Sequence, residues 1–212
     1  MAVLKIPFLK DSKDIDLQEI SQKLLKTGTR LQINKINWSE FSHHLETNVF
    51  CGYTENHLWL FYSVKGDYIR AEGKIDQDPV YQDSCVEFFI QVDNEYRNFE
   101  FNCLGVCLSA IGPDRNSRRK LEPENLSKII RFPSLNSKNQ TLEGSQADWT
   151  LTVGIPLDLI QLTPGSAFNC NFYKCGDKTK IPHFITWAPI NVPAPDYHRP
   201  EFFGNLELSP MK

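Results

Sequence analysis

Near the start of the chain, apolar residues recur with the spacing of an α-helix. Four of them fall on one helical face: Leu17, Ile20, Leu24 and Leu25. Asp16 precedes them and Glu19 follows three residues later, a capping-box pattern with an acidic residue in the usual Ser/Thr place. Gly28 is a residue of the kind that ends helices. The pattern predicts one amphipathic helix between Asp16 and Gly28.

After Gly28 the hydrophobic period changes to two, which is typical of strands. The period appears in a series of segments: His57–Val64, Cys85–Asp93, Arg97–Leu104, Trp149–Ile155, Phe168–Phe172, Phe184–Trp187 and Asn205–Leu208. Turn residues separate these segments, and only the first helix interrupts the pattern clearly. We therefore predict an all-β fold: a two-sheet antiparallel β-sandwich with one N-terminal helix and short helical turns.

The pattern weakens between Gly112 and Asp148. Residues 113–120 are polar and turn-like, Pro123 stands where it can begin a short helical turn, and Ser127–Phe132 suits a strand. No repeat, low-complexity tract or change in composition marks a boundary. We predict a single sandwich domain over residues 1–212.

Composition narrows the classes of function. Hydrophobic residues make up 41% of the chain and the net charge is −3, which describes an ordinary globular protein and removes the electrostatic case for nucleic-acid binding. No apolar run reaches the roughly 18 residues of a membrane span. Lys5 and Pro7 interrupt the first ten residues, which therefore lack the apolar core of a signal peptide. An intracellular location is favoured over a periplasmic or secreted one.

The chain contains six cysteines: Cys51, Cys85, Cys103, Cys107, Cys170 and Cys175. None forms a Cys-x-x-Cys motif. Cys103 and Cys107 are four residues apart on a predicted strand, which places them roughly 13 Å apart, too far to share one zinc ion. Free cysteines are commonly buried as small apolar residues. We predict that all six do this and that no metal is bound.

Sequence signatures of catalysis are absent: the chain has no Gly-x-Ser-x-Gly elbow, phosphate loop or His-Glu-x-x-His motif. Asp83 and Glu87 share one strand face but lie roughly 13 Å apart, farther than the two carboxyl groups of a glycosidase. A carboxylate on a neighbouring strand would not be visible in the sequence. No catalytic residue is predicted.

Tyr81 and Glu87 suggest a binding surface. If Val86 and its partners fill the core, Glu87 points outward or lies under a loop, and Tyr81 stands on the approach to the same strand. A flat ring beside a carboxylate suits a sugar, which offers an apolar C–H face and adjacent hydroxyl groups. The alternative is a tyrosine packed over the rim of the sandwich beside a solvated glutamate.

The C-terminal third carries the densest polar and aromatic pattern. Trp187 is the last residue before Ala188 and Pro189, so it stands at a strand end that leads into a proline-rich loop. Such loops often carry ligand sites. The parity of Trp187 leaves open which face of the sheet it takes. Farther on, residues 196–199 group Asp, Tyr, His and Arg, either as an acid–base site or as an Asx turn made by Asp196.

Six segments, in this order, form a recognisable succession: Tyr81–Ile90, Phe99–Asn102, Trp149–Pro156, Asn171–Asp177, Thr186–Pro189 and Phe203–Leu208. Their order and spacing resemble carbohydrate-binding module family 9, particularly its stand-alone bacterial members. The resemblance implies a β-sandwich related to the DOMON superfamily and non-catalytic binding of a sugar. The best-known members are modules of polysaccharide-degrading enzymes, which implies a place in polysaccharide utilisation.

The same resemblance supplies site residues. Family members stack a terminal sugar between two aromatic rings, and by position these rings are Tyr81 and Trp187. Glu87 matches the acidic residue on the strand after the first ring. Further polar candidates are Asn102, Tyr173 and Asn171. Tyr81 stands where the sugar-stacking members carry tryptophan, so it offers less stacking area.

The expected ligand is a mono- or oligosaccharide, with no nucleic-acid or membrane partner; the oligomeric state is not indicated. No cofactor is predicted. Some family members bind structural calcium, and the corresponding region offers four carboxylates without a calcium-loop signature: Asp67, Asp76, Asp78 and Asp83.

Three other functions stay open. The first is an enzyme with a scattered active site near Trp187 and His198. The second is an interaction scaffold on the same fold. The third is haem binding, as in some DOMON-like sandwiches, which would require a Met, His or Lys ligand in a pocket, although both methionines are terminal.

Overall fold

A computed structural model describes residues 3–10, 16–136 and 143–211. Its helices are α1 (Leu17–Thr27) and α2 (Pro123–Leu126). The strands, in chain order, are β1 (Leu4–Ile6), β2 (Thr29–Ile33), β3 (Lys35–Ile36), β4 (Glu46–Tyr53), β5 (His57–Tyr68), β6 (Cys85–Val92), β7 (Glu95–Asn102), β8 (Cys107–Gly112), β9 (Arg119–Lys120), β10 (Ile130–Pro133), β11 (Gln146–Pro156), β12 (Ala167–Cys175), β13 (Phe184–Thr186) and β14 (Gly204–Leu208).

Two sheets face each other. The larger has the order β1-β14-β12-β6-β7-β8-β9, with β13 and β3 added along the C-terminal half of β12. The smaller has the order β10-β11-β5-β4-β2. Its pairings are antiparallel, as are those of the larger sheet except where β1 runs parallel to β14. The predicted two-sheet sandwich with a short helix is confirmed.

The core lies between the sheets and is built from alternate residues of the central strands. On β6 the inward residues are Val86, Phe88, Ile90 and Val92, as predicted from their parity. Trp149 and Leu151 approach them from β11, both essentially without solvent exposure. Burying each such side chain stabilises the fold by about 1.5–3 kcal/mol, so this core is the main source of its stability.

Helix α1 covers the outer face of the smaller sheet. Asp16 caps it by accepting hydrogen bonds from the amides of Gln18 and Glu19, at 2.8 and 3.4 Å. Ile20 and Leu24 pack with Trp59 of β5 in a second apolar cluster. Both faces of this sheet are therefore buried where α1 covers it.

The outer face of the larger sheet is covered by loops instead of a helix. Residues from the long segment after β13 and from the turn before β6 pack on it, forming an aromatic-rich cluster: Trp38, Val80, Cys85, Phe89, Tyr96, Tyr173, Cys175, Ile190 and Tyr197. Phe89 lies on the face of β6 opposite the core, and it is fully buried by these loops. This loop-covered face carries the site described below.

The segment from β1 to Leu9 joins the two sheets at one edge. β1 pairs with β14 of the larger sheet, while Phe8 bridges to Tyr53 of the smaller sheet. The amide of Tyr53 donates to Pro7 O at 3.0 Å, and the amide of Leu9 donates to Tyr53 O at 2.7 Å. One short segment therefore belongs to both sheets.

A buried ion pair also links the sheets. Lys174 of β12 and Asp67 of β5 are both fully buried, with Nζ 3.1 Å from Oδ2. Lys174 Nζ also donates to His183 Nε2 at 2.9 Å, and Trp149 Nε1 donates to Asp67 Oδ2 at 3.0 Å. Burial raises the pKa of Asp67, but Lys174, His183 and Trp149 outweigh it and hold the pKa below its usual value. Asp67 is thus an ionised partner for Lys174.

The predicted strands are all present, with small differences at their ends. α2 begins at Pro123, as its position predicted. Several strands were not predicted: β1, β2, β3, β4, β8 and β9. Neither α1 nor α2, the α-helices of the described residues, is long and apolar enough to cross a membrane.

Candidate functional site

Two glutamates lie side by side on the outer face of the larger sheet. β6 and β7 are antiparallel neighbours, and their register places Glu87 directly opposite Glu100. Both side chains are nearly fully buried by the covering loops. Glu100 Oε1 accepts from Asn98 Nδ2 at 2.9 Å, whereas Glu87 Oε1 accepts from Cys175 Sγ at 3.0 Å. These two carboxyl groups form the floor of a pocket.

Tyr81 stands at one side of this floor. It belongs to the short turn Val80–Gln82 just before β6, and its ring is 38% exposed. The amide of Asp177 donates to Tyr81 O at 3.2 Å, and the amide of Lys178 donates to Gln82 O at 3.1 Å. These bonds fix the Tyr81 turn against the loop after β12 and bring Tyr81 and Asp177 to the same pocket.

The loop at residues 195–198 forms another wall. Asp196 Oδ1 accepts from the amide of His198 at 3.0 Å, which is the Asx turn considered from the sequence. Tyr197 is held from behind by Tyr173, whose ring is stacked on it at 4.0 Å between centroids. The hydroxyl of Tyr197 donates to Lys174 O at 3.1 Å. The wall is therefore anchored to the sheet through Tyr197.

Two arginines come from the polar stretch after β8. Arg118 donates through NH1 to Asn98 Oδ1 at 2.9 Å and through Nε to Arg115 O at 3.1 Å. Arg115 forms an ion pair with Asp196, with NH1 3.8 Å from Oδ1. Sequence analysis missed both arginines, because their segment gave only a turn pattern and the contact with β7 depends on the tertiary fold.

These elements enclose a pocket of about 200 Å³, here called the site pocket. Its main lining residues are Tyr81, Glu87, Glu100, Arg115, Arg118, Asp177, Phe184, Tyr197 and His198. The volume is below the ~300 Å³ at which pockets for drug-sized ligands begin, so the site suits a small ligand or one end of a larger one. Aromatic rings, carboxyl groups and guanidinium groups meet in it.

Burial dominates the electrostatics of the site pocket. Burial raises the pKa of Glu100 to about 7, against the opposing influence of Arg118. Burial, followed by repulsion from Glu100, raises the pKa of Glu87 well above its usual value. Burial also raises the pKa of Asp177 to about 6, while Arg115 acts in the opposite direction. Near neutral pH the floor can therefore both donate and accept hydrogen bonds, as adjacent hydroxyl groups require.

Trp187, the second ring expected from the resemblance, is not brought together with Tyr81. It is half-buried, packs edge-on against Phe172 at 5.8 Å between centroids, and lies over the backbone of Gly204. It lines a different, shallower depression with Arg30 and Lys35. Its parity, ambiguous in the sequence, places it on the core side of the sheet. The structure therefore does not bring the two expected stacking rings to one pocket.

The other polar candidates serve the fold. Asn102 is fully buried; its Nδ2 donates to Gly73 O and Asp83 Oδ2, and its Oδ1 accepts from the amides of Leu104 and Val106. Asn171 is equally buried. Its Nδ2 donates to Ala188 O, and its Oδ1 accepts from the amide of Ala188. Tyr173 supports Tyr197, and its hydroxyl donates to Tyr197 O. None of the three lines the site pocket.

The four carboxylates considered for calcium have other partners. Asp67 pairs with Lys174, and Asp76 pairs with Arg131. Asp78 accepts from the amides of Lys74 and Ile75, and Asp83 accepts from those of Glu72 and Gly73. In the part of the chain that the structure describes, they do not form a group of convergent metal ligands.

His198 is enclosed within the wall of the site pocket. Its Nδ1 lies 3.0 Å from the Tyr96 hydroxyl, and its ring packs on Phe89 at 5.1 Å between centroids. Burial, with smaller contributions from Arg118 and Arg115, lowers its pKa to about 3. The imidazole is therefore neutral near pH 7. Trp187 lines a different depression, so the structure does not bring these two residues to one pocket.

Comparison with solved structures shows where this architecture occurs. A protein from Bacteroides uniformis ATCC 8492, described as a candidate carbohydrate-binding protein, is 29% identical, with a TM-score of 0.86 over 99% of this chain and 98% of that one. A family 9 carbohydrate-binding module from Caldicellulosiruptor kristjanssonii in complex with cellotriose is 10% identical, with a TM-score of 0.62 over 99% and 94% of the two chains. The same organism's module in complex with glucose is 11% identical, with a TM-score of 0.59 over 99% and 96%.

The two modules from Caldicellulosiruptor kristjanssonii are too distant in sequence to show more than the shared fold. A search of curated proteins gave no match. The sequence model described as carbohydrate-binding family 9 matches residues 19–208, which include all the strands from β2 to β14 and every lining residue of the site pocket. The chain therefore belongs to carbohydrate-binding family 9.

Proposed function

We propose that this protein binds the end of a mono- or oligosaccharide in the site pocket without transforming it. The observation that carries the proposal is the exposed ring of Tyr81 beside the buried carboxyl groups of Glu87 and Glu100. A sugar ring presents an apolar C–H face to the aromatic ring and its hydroxyl groups to the polar floor. Membership of a carbohydrate-binding family supports the same conclusion.

The ligand-bound relatives give the class of sugar to try first. The modules from Caldicellulosiruptor kristjanssonii were solved with cellotriose and with glucose. A pocket of about 200 Å³ favours contact with one terminal ring over several rings of a chain. Phe184 and Tyr197 line the same pocket as Tyr81, so an aromatic surface is available in it without Trp187.

Polar specificity comes from the remaining lining residues. Arg118 is oriented by Asn98, and Asp177 is held beside Tyr81 by its backbone hydrogen bond. Together with the floor glutamates, they offer both donors and acceptors at fixed positions. Such preorganisation lowers the entropy lost on binding, because the side chains are already ordered.

The test is a titration of the purified protein with glucose, cellobiose, cellotriose, xylose and galactose, followed by calorimetry and intrinsic fluorescence. We expect one of these sugars to bind with a Kd between about 1 µM and about 1 mM. Tyr81→Ala should weaken binding about tenfold or more, since it removes the stacking surface. Sugars recovered unchanged after long incubation would support binding without catalysis.

Two control variants make the test specific. Phe132 on β10 is 42% exposed, close to the 38% of Tyr81, but belongs to the other sheet, so Phe132→Ala should keep wild-type affinity. Trp187→Ala should also keep it, because Trp187 lines a different depression. The proposal is wrong if Tyr81→Ala binds like the wild type, or if no sugar of the panel binds at tens of millimolar.

A further inference from the structure

Two cysteines meet on the outer face of the larger sheet. Cys85 begins β6 and Cys175 ends β12, and the antiparallel register places them directly opposite each other. Glu87 lies two residues farther along β6 and therefore on the same face as Cys85. Cys175 Sγ donates to Glu87 Oε1 at 3.0 Å, so the thiol and the carboxyl group are already in contact.

The three side chains have the spacing of a metal site. One sulfur atom from each cysteine and one carboxylate oxygen of Glu87 all lie within 4.8 Å of one another. Ligands of a tetrahedral zinc ion lie at about 2.3 Å for sulfur and 2.0–2.2 Å for oxygen, so neighbouring ligand atoms are separated by roughly 3.3–3.8 Å. Among the described residues, no other group of at least three Cys, His, Asp or Glu side chains meets this spacing.

We propose that Cys85, Glu87 and Cys175 bind one zinc ion, or a similar thiophilic divalent cation, at the floor of the site pocket. Glu87 and Cys175 also line the pocket, so a fourth coordination position on their side would open into it. Three protein ligands and one open position are the arrangement of zinc sites that exchange a water molecule or a ligand.

An unpartnered carboxylate oxygen independently indicates a cation. Glu100 Oε2 is buried and has no hydrogen-bond partner, although Glu100 lies directly opposite Glu87 and lines the same pocket. Leaving such an atom unpaired costs free energy. A divalent cation beside Glu87 would offset the repulsion between the two carboxylates and give the orphaned oxygen a favourable charge nearby.

The remaining cysteines provide an internal contrast. Cys51, Cys103, Cys107 and Cys170 are buried in the core between the sheets, as expected of small apolar residues. Cys85 and Cys175 are also buried, but in the cluster on the opposite face, beside carboxyl groups. Their sequence separation of about 90 residues explains why no motif indicated a shared site.

Binding changes the protonation of the site in a defined way. Each thiol loses its proton to solvent, as does Glu87 where it carries one, and the thiolate sulfurs and the carboxylate oxygen donate electron pairs to the ion. The hydrogen bond from Cys175 to Glu87 is replaced by coordination of both groups. No oxidant or reductant takes part, because zinc keeps its oxidation state.

The experiment uses the whole protein, stripped of metal with a chelator, reduced and free of sugar. Zn²⁺ is titrated by calorimetry, and Co²⁺ serves as a spectroscopic substitute. We expect one ion per chain and a sulfur-to-cobalt charge-transfer band with tetrahedral d–d absorption. Cys85→Ala, Cys175→Ala and Glu87→Gln should each weaken binding at least tenfold.

Cys170→Ala is the matched control, because Cys170 lies on β12 like Cys175 and is equally buried, but faces the core. It should bind cobalt like the wild type. Absence of the charge-transfer band in folded wild-type protein with free thiols would overturn the proposal, as would loss of the band in Cys170→Ala alone. The spectroscopic test contains no sugar, so its outcome is separate from that of the binding proposal. Glu87→Gln is nearly isosteric and keeps the test valid if a cysteine variant does not fold.

Discussion

Glu87 and Glu100 are directly opposed across β6 and β7, and both are buried beneath the loops that cover the larger sheet. Like charges at opposed positions of a sheet destabilise it, and burial adds a desolvation cost for each ionised carboxylate. Neither glutamate pairs with an arginine or lysine by direct contact within the described residues. The pair therefore lowers the stability of the fold, and it does so at the floor of the site pocket.

Glu100→Gln should stabilise the protein. The substitution removes one buried charge and can keep the hydrogen bond from Asn98. Because burial raises the pKa of Glu100 to about 7, the folded state holds a proton that the unfolded chain releases above about pH 4.5. Wild-type stability therefore falls as pH rises between these values, and the benefit of the variant grows to about 3 kcal/mol at pH 8.

Urea unfolding at pH 5 and pH 8 measures this difference. Glu95→Gln is the control, since Glu95 lies on the same strand but is partly exposed and paired with Arg119. An equal effect of Glu100→Gln at both pH values would show that the carboxyl group is not strained by burial.

Lys174→Met should cost about 3–5 kcal/mol, because it leaves Asp67 as a buried charge without its ionic partner. The double variant with Asp67→Asn should recover most of this loss, since no charge then remains uncompensated. Lys65→Met is the control: Lys65 pairs with Glu46, but both side chains are more than half exposed, so we expect a change below about 1 kcal/mol. Equilibrium urea unfolding compares the variants. Additive losses in the double variant would contradict this account of the ion pair.

His198 should make the fold sensitive to acid. Burial lowers its pKa to about 3, whereas an unfolded histidine titrates near 6.5. Between these values the unfolded state binds more protons than the folded state. The contribution of neutral His198 to the stability of the fold is therefore lost as pH falls from about 6.5 toward 3. The Tyr96 hydroxyl contacts the ring, Arg115 and Arg118 are the charged groups that act on it, and Asp196 bonds the backbone amide of His198. His198→Asn can keep an acceptor for the Tyr96 hydroxyl.

The measurement is the free energy of unfolding at several pH values between 4 and 7. We expect the His198→Asn curve to be flatter than the wild-type curve, by up to about 1.4 kcal/mol per pH unit. His44 is exposed, and His44→Asn should leave the slope unchanged. Identical slopes for all three proteins would mean that His198 remains accessible to protons in the folded state.

Asn102→Ala should weaken the fold without changing the ligand contacts. Its amide makes four hydrogen bonds inside the protein, so truncation leaves several buried groups unpaired and should cost about 3 kcal/mol or more. Sugar affinity measured well below the unfolding transition should stay within about threefold of the wild type. Asn169→Ala, at an exposed position on β12, should change neither quantity. A loss of sugar affinity without a loss of stability would instead show that Asn102 contributes directly to sugar binding.

Sequence periodicity identified the sandwich because β6, β7 and β11 each bury one face in the core between the sheets. It missed β4, although Val49, Cys51 and Tyr53 of this strand face the core at alternate positions. Only part of the site could be predicted from the sequence. Tyr81 and Glu87 are close along the chain, whereas Glu100, Arg118 and His198 reach the pocket through strand register and loop folding.

The aromatic pair shows the limit most clearly. A strand end before Ala188 and Pro189 indicated that Trp187 lies near a loop, but the sequence did not say which side of the sheet it takes. In the structure Trp187 packs closely on Gly204 of β14, where a Cβ atom would come within 2.6 Å of the indole. Pairing between β12 and β14 creates this space, and no local pattern encodes it.

The segment from β1 to Leu9 belongs to both sheets, and β1 makes this edge of the larger sheet a strand of only three residues. Its pairing with β14 occupies backbone groups that would otherwise form an open sheet edge. Deleting residues 3–9 would expose Leu206 and Leu208 along an unpaired strand, which is a template for edge-to-edge aggregation. The first strand is thus a solubility device, and its loss should appear as concentration-dependent assembly before any loss of the ligand pocket.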